Sequence, residues 1–167
     1  MWVFDATPLI YLGKVDRLEI VAGLDGDRLI PGRVYEEVVT AGIEGGYPDA
    51  RRVERPVEDG LFSVRGVEES AVFERRCRNP NLSGADVAVL SLADELDGIA
   101  VMDERFGRDV ADTEGIETRG MVYLVGLLVK RGELSAGEGR AVVDEMVEAG
   151  WHCSPALYAR LVRIFEE

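Results

Sequence analysis

The sequence is poor in the residues on which nucleophilic, redox and zinc chemistry depend. It has a single histidine, His152, and two cysteines, Cys77 and Cys153, which lie far apart and form no CxxC pair. Neither a disulfide framework nor a zinc site is therefore expected. The chain also lacks a nucleophile elbow, a P-loop and a GxGxxG motif, so a Ser–His–acid triad built on His152 has none of its usual signature. We expect His152 and Cys153 to occupy a turn or to pack against the core.

A long hydrophobic run is missing as well. The longest, residues 121–129, is too short to cross a bilayer, and we expect it to pack in the core, with a dimer interface as the second interpretation. The first residues carry no basic segment followed by an apolar core, so no signal peptide is expected. These features predict a cytoplasmic protein without membrane association. The chain has 167 residues, 47% of them hydrophobic, which is enough to bury a substantial core.

Lysine is scarce, and acidic residues are in excess. Lys14 and Lys130 are the only lysines, and 32 acidic against 19 basic residues give a formal net charge of −13. Such a charge alone argues against a nucleic-acid partner, because most nucleic-acid-binding proteins show a basic surface. An acid-rich surface with arginine in place of lysine is, however, typical of extreme halophiles, in which high salt screens the self-repulsion. We therefore hypothesise a halophilic, archaeal source, so that the charge reflects the cytoplasm rather than the substrate.

Short apolar segments alternate with amphipathic ones along the chain. We predict strands at residues 2–6, 28–30, 61–64, 99–102 and 116–118. We predict helices at residues 8–12, 15–22, 33–41, 47–58, 68–78, 84–96, 104–112, 121–131, 135–149 and 155–165. This alternation is typical of an α/β fold with a parallel sheet of four or five strands covered on both faces. We expect one domain over residues 1–167, in which a helical C-terminal extension, residues 120–167, packs on an α/β core, residues 1–119.

Two acids follow predicted buried strands. Asp5 ends the first strand, and Asp103 comes directly after residues 99–102. Ligands of open α/β sheets bind outside the carboxyl ends of the strands, so both side chains are expected to face a ligand-binding crevice. An ionised carboxylate in such a place needs a cation, an arginine or water beside it.

Two further acids lie on predicted helices. Asp86 follows Ser83, the predicted N-cap, and either faces the core side of the helix or complements the helix dipole, two interpretations of about equal weight. Glu37 borders a predicted buried stripe, whereas Glu36 lies on the solvated face. Glu37 is therefore the better candidate for a site, its alternative being an ordinary acid at the rim of a helix. The stripe consists of Val34, Val38 and Ala41.

Carboxylates that converge at one edge of a sheet are the ligands that Mg²⁺ and Mn²⁺ prefer. Such ions orient a phosphodiester and activate water, so the protein needs no histidine or cysteine nucleophile. Arg105 and Arg108 follow Asp103 closely and are candidates for contacts with substrate phosphates. For the arginines at 75, 76 and 78, ion pairing with surface acids is the preferred interpretation.

Four segments together resemble the PIN-domain family of ribonucleases. They are residues 3–10 (VFDATPLI), 30–38 (IPGRVYEEV), 82–93 (LSGADVAVLSLA) and 101–104 (VMDE). The tail is similar to that of the prokaryotic VapC-like and DUF3368-like group, in residues 120–134 and 150–157. With the tail included, the resemblance covers nearly the whole chain.

The resemblance implies a three-layer α/β/α sandwich with the activity of a Mg²⁺- or Mn²⁺-dependent endoribonuclease. It implies Asp5, Glu37, Asp86 and Asp103 as the catalytic acids, and Thr7 as a hydroxyl partner for the substrate. Many relatives carry a further acid after the last strand, where this chain has Glu104, longer than Asp. The implied metal ligands are accordingly Asp5, Asp86, Asp103 and Glu104. A homodimer and a small antitoxin that holds the enzyme inactive are also implied.

Two other functions are compatible with the same residues. The first is a PIN-like fold that serves as a non-catalytic RNA-binding or protein-interaction module. The second is a phosphatase-like hydrolase that uses the same carboxylates on small phosphate esters.

Overall fold

The central sheet is parallel throughout. The computed structural model describes residues 1–166, and within them five strands lie in the order β3-β2-β1-β4-β5. Their bounds are Trp2–Phe4 for β1, Arg28–Pro31 for β2, Ser63–Arg65 for β3, Ile99–Val101 for β4 and Thr118–Arg119 for β5. The strand order reverses at the centre, where β1 pairs with β2 on one side and with β4 on the other. The predicted parallel α/β sheet is confirmed.

Helices fill most of the chain between and after the strands. They are α1 (Ala6–Lys14), α2 (Gly32–Tyr35), α3 (Ala41–Glu44), α4 (Pro48–Glu58), α5 (Ala71–Cys77), α6 (Gly84–Leu96), α7 (Arg105–Glu114), α8 (Met121–Lys130), α9 (Ala136–Glu148) and α10 (Pro155–Glu166). Helix α6 packs across β1, β2 and β4 on one face of the sheet. Right-handed crossovers place α1 and α4 on the opposite face, which gives the three layers.

Two helical predictions are wrong in detail. Residues 15–22 were predicted to form a helix, but Asp16 has a positive φ of 55°, and only a 3₁₀ helix, Leu18–Gly23, follows. The segment predicted at 33–41 extends from α2 to α3 through a π-helical turn, Glu36–Thr40. The wider turn changes the helical phase, so Val38 and Val39 are buried and Ala41, predicted to be buried, is exposed.

The C-terminal helices share the core of the sheet. Helix α8 packs on α9 and α10, and α9 packs on α1. Leu124, Val125 and Leu128 of α8 are completely enclosed, in agreement with a core role for residues 121–129. An ion pair between Arg17 and Glu145, at 3.0 Å, adds a link between the core and α9. No helix within residues 1–166 combines the length and apolarity needed to span a membrane.

Arg76 of α5 links its own helix to α6 and α7. Its side chain is only 5% exposed, and its guanidinium donates to Asp94 of α6 at 2.8 Å and to Glu114 of α7 at 3.1 Å. A third bond, of 3.0 Å, reaches the hydroxyl of Ser91. Arg75 also contacts Glu114, but its own side chain is 66% exposed. The prediction that these arginines pair with surface acids is confirmed for Arg75 and Arg76, whereas Arg78 forms no ion pair within residues 1–166.

Replacing Arg76 by Gln is expected to lower the free energy of unfolding by about 2 kcal/mol or more, because buried polar groups lose their charged partner. Replacing Arg75 by Gln, which removes an exposed pair to the same acid, should change it by at most about 0.5 kcal/mol. Urea unfolding of the two variants measures the difference. Equal effects would show that the buried network does not join the three helices.

Candidate active site at the carboxyl edge of the sheet

Asp5 lies where β1 ends and α1 begins. Its Oδ1 accepts a 2.8 Å hydrogen bond from the backbone N–H of Ala6, so the side chain caps the helix. The residue is only 5% exposed, and no lysine or arginine within residues 1–166 forms an ion pair with it. Burial raises the pKa of Asp5 from 3.8 to about 7, against the lowering effect of the Ala6 bond.

Three other acids act on Asp5 through their charge. After burial, the charges of Asp86, Glu104 and Glu37 raise the pKa of Asp5 further, in that order. The pKa of Glu104 is itself raised, first by burial and then by the charge of Asp86. The structure therefore brings three of the predicted site residues within electrostatic reach of Asp5. Asp5, Glu37, Asp86 and Glu104 are called the acid group below. They lie at the point where the strand order reverses, which is where open α/β sheets bind their ligands.

Asp86 is fixed by a reciprocal capping arrangement at the start of α6. Its backbone N–H donates to the hydroxyl of Ser83 at 3.0 Å, and its Oδ2 accepts from the backbone N–H of Ser83 at 2.9 Å. The predicted N-cap at Ser83 is confirmed. Both interpretations of Asp86 from the sequence are compatible with the structure. The residue lies in the first turn of α6, where it complements the helix dipole, and it is only 4% exposed.

Asp103 is not among the acids whose charge acts on Asp5. Its Oδ1 accepts a 2.9 Å hydrogen bond from the backbone N–H of Met121, at the start of α8. Burial raises the pKa of Asp103, whereas the Met121 bond, the indole N–H of Trp151 and the charge of Arg108 lower it. Consecutive residues of an extended chain point in opposite directions, so Asp103 faces the tail and Glu104 faces Asp86. The sequence pattern, which gives both as acids after one strand, does not distinguish them.

Glu37 lies in the π-helical turn, and its side chain is exposed. Its charge nevertheless raises the pKa of Asp5, which places it at the open side of the acid group. Such turns are rare and occur often at functional sites.

The predicted substrate contacts differ in their surroundings. Thr7 is half-buried in the first turn of α1, two residues after Asp5. Arg105 is almost fully exposed, with Asp109 4.0 Å away. Arg108 lies beside Asp103 and lines a cavity with Arg119 and with Arg160 of α10. Sequence reasoning missed the last two arginines, because only the packing of the tail brings them to this place.

The donor chemistry of the acid group fits a hard divalent cation. Asp5, Asp86, Glu37 and Glu104 offer oxygen atoms alone, and their mutual repulsion is what a bound cation relieves. Within the part of the chain that the structure describes, no three carboxylate, imidazole or thiol groups converge tightly enough to form a preassembled metal site. Asp5 and Asp86 are buried and fixed, whereas Glu37 and Glu104 are exposed.

Comparison with known proteins agrees with the fold. The model of the DUF3368 family, which is described as a PIN domain, matches residues 1–167. No similar sequence was found among curated proteins. Because the family model covers the whole length of the chain, the chain belongs to the PIN-domain family.

Proposed function

We propose that this chain is a divalent-metal-dependent endoribonuclease that hydrolyses RNA phosphodiester bonds at the Asp5 group. The observation that carries the proposal is a carboxylate buried among three other acids at the reversal point of the sheet, with no basic partner. A buried structural acid would be expected to have a basic partner, and Asp5 forms no ion pair within residues 1–166. PIN domains are in general nucleases with divalent metals, which agrees with this chemistry.

Each acid has a distinct role in the proposal. Asp5 and Asp86, both held by backbone hydrogen bonds, would be the fixed metal ligands, and Glu104 would complete the set. Glu37, exposed and coupled to Asp5, would accept a proton during hydrolysis. A divalent cation would stabilise charge on the phosphodiester and activate a water molecule. Thr7 would position the substrate beside Asp5, and Arg105 would attract the RNA strand.

Asp103 is assigned a positioning role here, outside the metal shell. It ties the chain between β4 and α7 to the start of α8 through Met121, and so fixes the direction of the neighbouring Glu104. The proposal departs here from the initial prediction of Asp103 as a ligand, because the charges of the other acids raise the pKa of Asp5 and of Glu104 but do not act on Asp103.

The identity of the biological partners remains a prediction of the resemblance. We include in the proposal that the nuclease is the toxin of a toxin–antitoxin pair, controlled by a small antitoxin protein, and that it forms a homodimer.

Cleavage of single-stranded and structured RNA should require Mn²⁺ or Mg²⁺ and stop in EDTA. Asp5→Asn is expected to lower the rate at least about a hundredfold, because it removes the ligand charge while an Asn can still cap α1. Gel analysis of labelled RNA in high KCl, with DNA and an aryl phosphate as comparison substrates, measures this.

A matched control is Asp97→Asn, an equal chemical change at an exposed site with positive φ, where Asn is well tolerated. It should retain full activity. A folded, metal-binding protein that cuts no RNA would instead favour a non-catalytic module, and hydrolysis of the aryl phosphate alone would favour a phosphatase-like activity.

The acid group also predicts how stability depends on pH without metal. The folded protein keeps the Asp5 proton up to about pH 7, whereas the unfolded chain releases it near 3.8. The stabilising effect is therefore complete below pH 3.8 and is lost as the pH rises through 7, by up to about 4 kcal/mol. In EDTA at pH 8, Asp5→Asn should melt at a higher temperature than wild type.

A divalent metal should reverse the order of the two melting temperatures. Mn²⁺ binds the folded wild type and should raise its melting temperature at pH 8, but it should leave Asp5→Asn nearly unchanged. Thermal melts across pH, with and without Mn²⁺, test both expectations. A wild type that is insensitive to Mn²⁺ would contradict a metal site at Asp5.

A further inference from the structure

A cavity of about 390 Å³ lies beside Asp103 and is rich in arginine. Arg108 of α7, Arg119 at the end of β5 and Arg160 of α10 line it. These residues come from three separate elements, and the docking of the tail assembles them. In a chain with a net charge of −13, three arginines around one cavity reverse the sign of the charge locally.

Within residues 1–166, two of these guanidinium groups form no ion pair with a carboxylate. Arg119 forms an ion pair with Glu117 at 2.9 Å, but neither Arg108 nor Arg160 lies within 4.0 Å of a carboxylate oxygen among residues 1–166. Asp103, which also lines the cavity, uses Oδ1 to accept from Met121, and its Oδ2 is enclosed. Arg160 therefore faces the cavity without an acidic partner, and Arg108 is balanced only at longer range by the enclosed carboxylate of Asp103.

An aromatic ring borders the same cavity. Tyr123 is 47% exposed, and the guanidinium of Arg119 lies over its ring at 4.8 Å from the centroid. Tyr123 and Ile164 also line an adjoining groove of about 590 Å³, together with Leu127 and Phe165. The arginine cavity thus continues into an apolar surface, and Tyr123 lies between the two.

Arginine next to an exposed aromatic ring suits a nucleotide. Guanidinium groups bind phosphate oxygens through paired hydrogen bonds, and unpaired bases stack on aromatic side chains. An acidic peptide would satisfy the arginines but would make no use of the ring or of the apolar groove. The combination therefore favours single-stranded RNA over an acidic protein.

We propose that Arg108, Arg160 and Tyr123 form a binding subsite for single-stranded RNA. A phosphate lies between the two arginines, and a base packs against Tyr123 and the apolar groove. This inference rests on the proposed function, because it describes where the strand continues beyond the acid group. Asp103 and Glu104 connect the two places, since the first lines the cavity and the second belongs to the acid group.

The test measures binding in EDTA, where no cleavage takes place. Fluorescence anisotropy of a labelled oligouridine is recorded over a series of KCl concentrations. Arg108→Gln and Arg160→Gln should each weaken binding and reduce the slope of log K against log salt by about 0.7, the value for one lost phosphate contact on a single strand. Tyr123→Leu should weaken binding about tenfold without changing the slope, because stacking releases no counterions.

The control variants lie on the same helix. Arg163→Gln removes an equal charge from an exposed position of α10 outside the cavity, and it should change neither affinity nor slope. Arg160→Lys keeps the charge and should keep the wild-type slope, which separates lost contacts from a damaged fold. Slopes for Arg108→Gln and Arg160→Gln that equal that of Arg163→Gln would overturn the proposal, as would displacement of the RNA by a stronger-binding oligoglutamate. Intact binding without cleavage would refute the nuclease activity and leave the subsite standing.

Discussion

The candidate site is organised around a carboxylate that is buried without an ion-pair partner among residues 1–166. Asp5 terminates the central strand and caps α1, so it cannot move away from the acids that surround it. In the absence of a cation the protein accommodates this by keeping a proton on Asp5 up to about pH 7. A divalent ion would relieve the repulsion among these acids, which is why the same acids would bind such an ion well.

The sequence was sufficient to predict the sheet and most helices, because these depend on local signals. Apolar runs between turns mark β1 and β4, and Ser83 marks the start of α6. The errors have local causes that periodicity does not reveal. A left-handed backbone at Asp16 replaced a predicted helix, and a π-helical turn shifted Ala41 out of the core.

The composition of the candidate site was harder to predict from the sequence than the strands and helices, because it depends on the direction of individual side chains. Asp5 and Asp86 could be identified, since an acid in a buried setting is unusual in any sequence. Asp103 and Glu104 could not be distinguished from the sequence, because only the fold brings Met121 of a distant segment to Asp103 and Asp86 to Glu104. Arg160 carries no sequence signal at all, as it reaches the cavity only through the packing of the tail.

The π-helical turn has a consequence for how such a protein can change over generations. A turn of this kind contains one residue more than an α-helical turn. In an α-helix, successive side chains are turned by about 100° about the helix axis. Loss of codon 36 would restore a regular helix and turn the side chain of Glu37 away from Asp5. Val34, which precedes the turn, would keep its place in the core. A small genetic event could thus separate the fold from its chemistry and leave an intact scaffold behind.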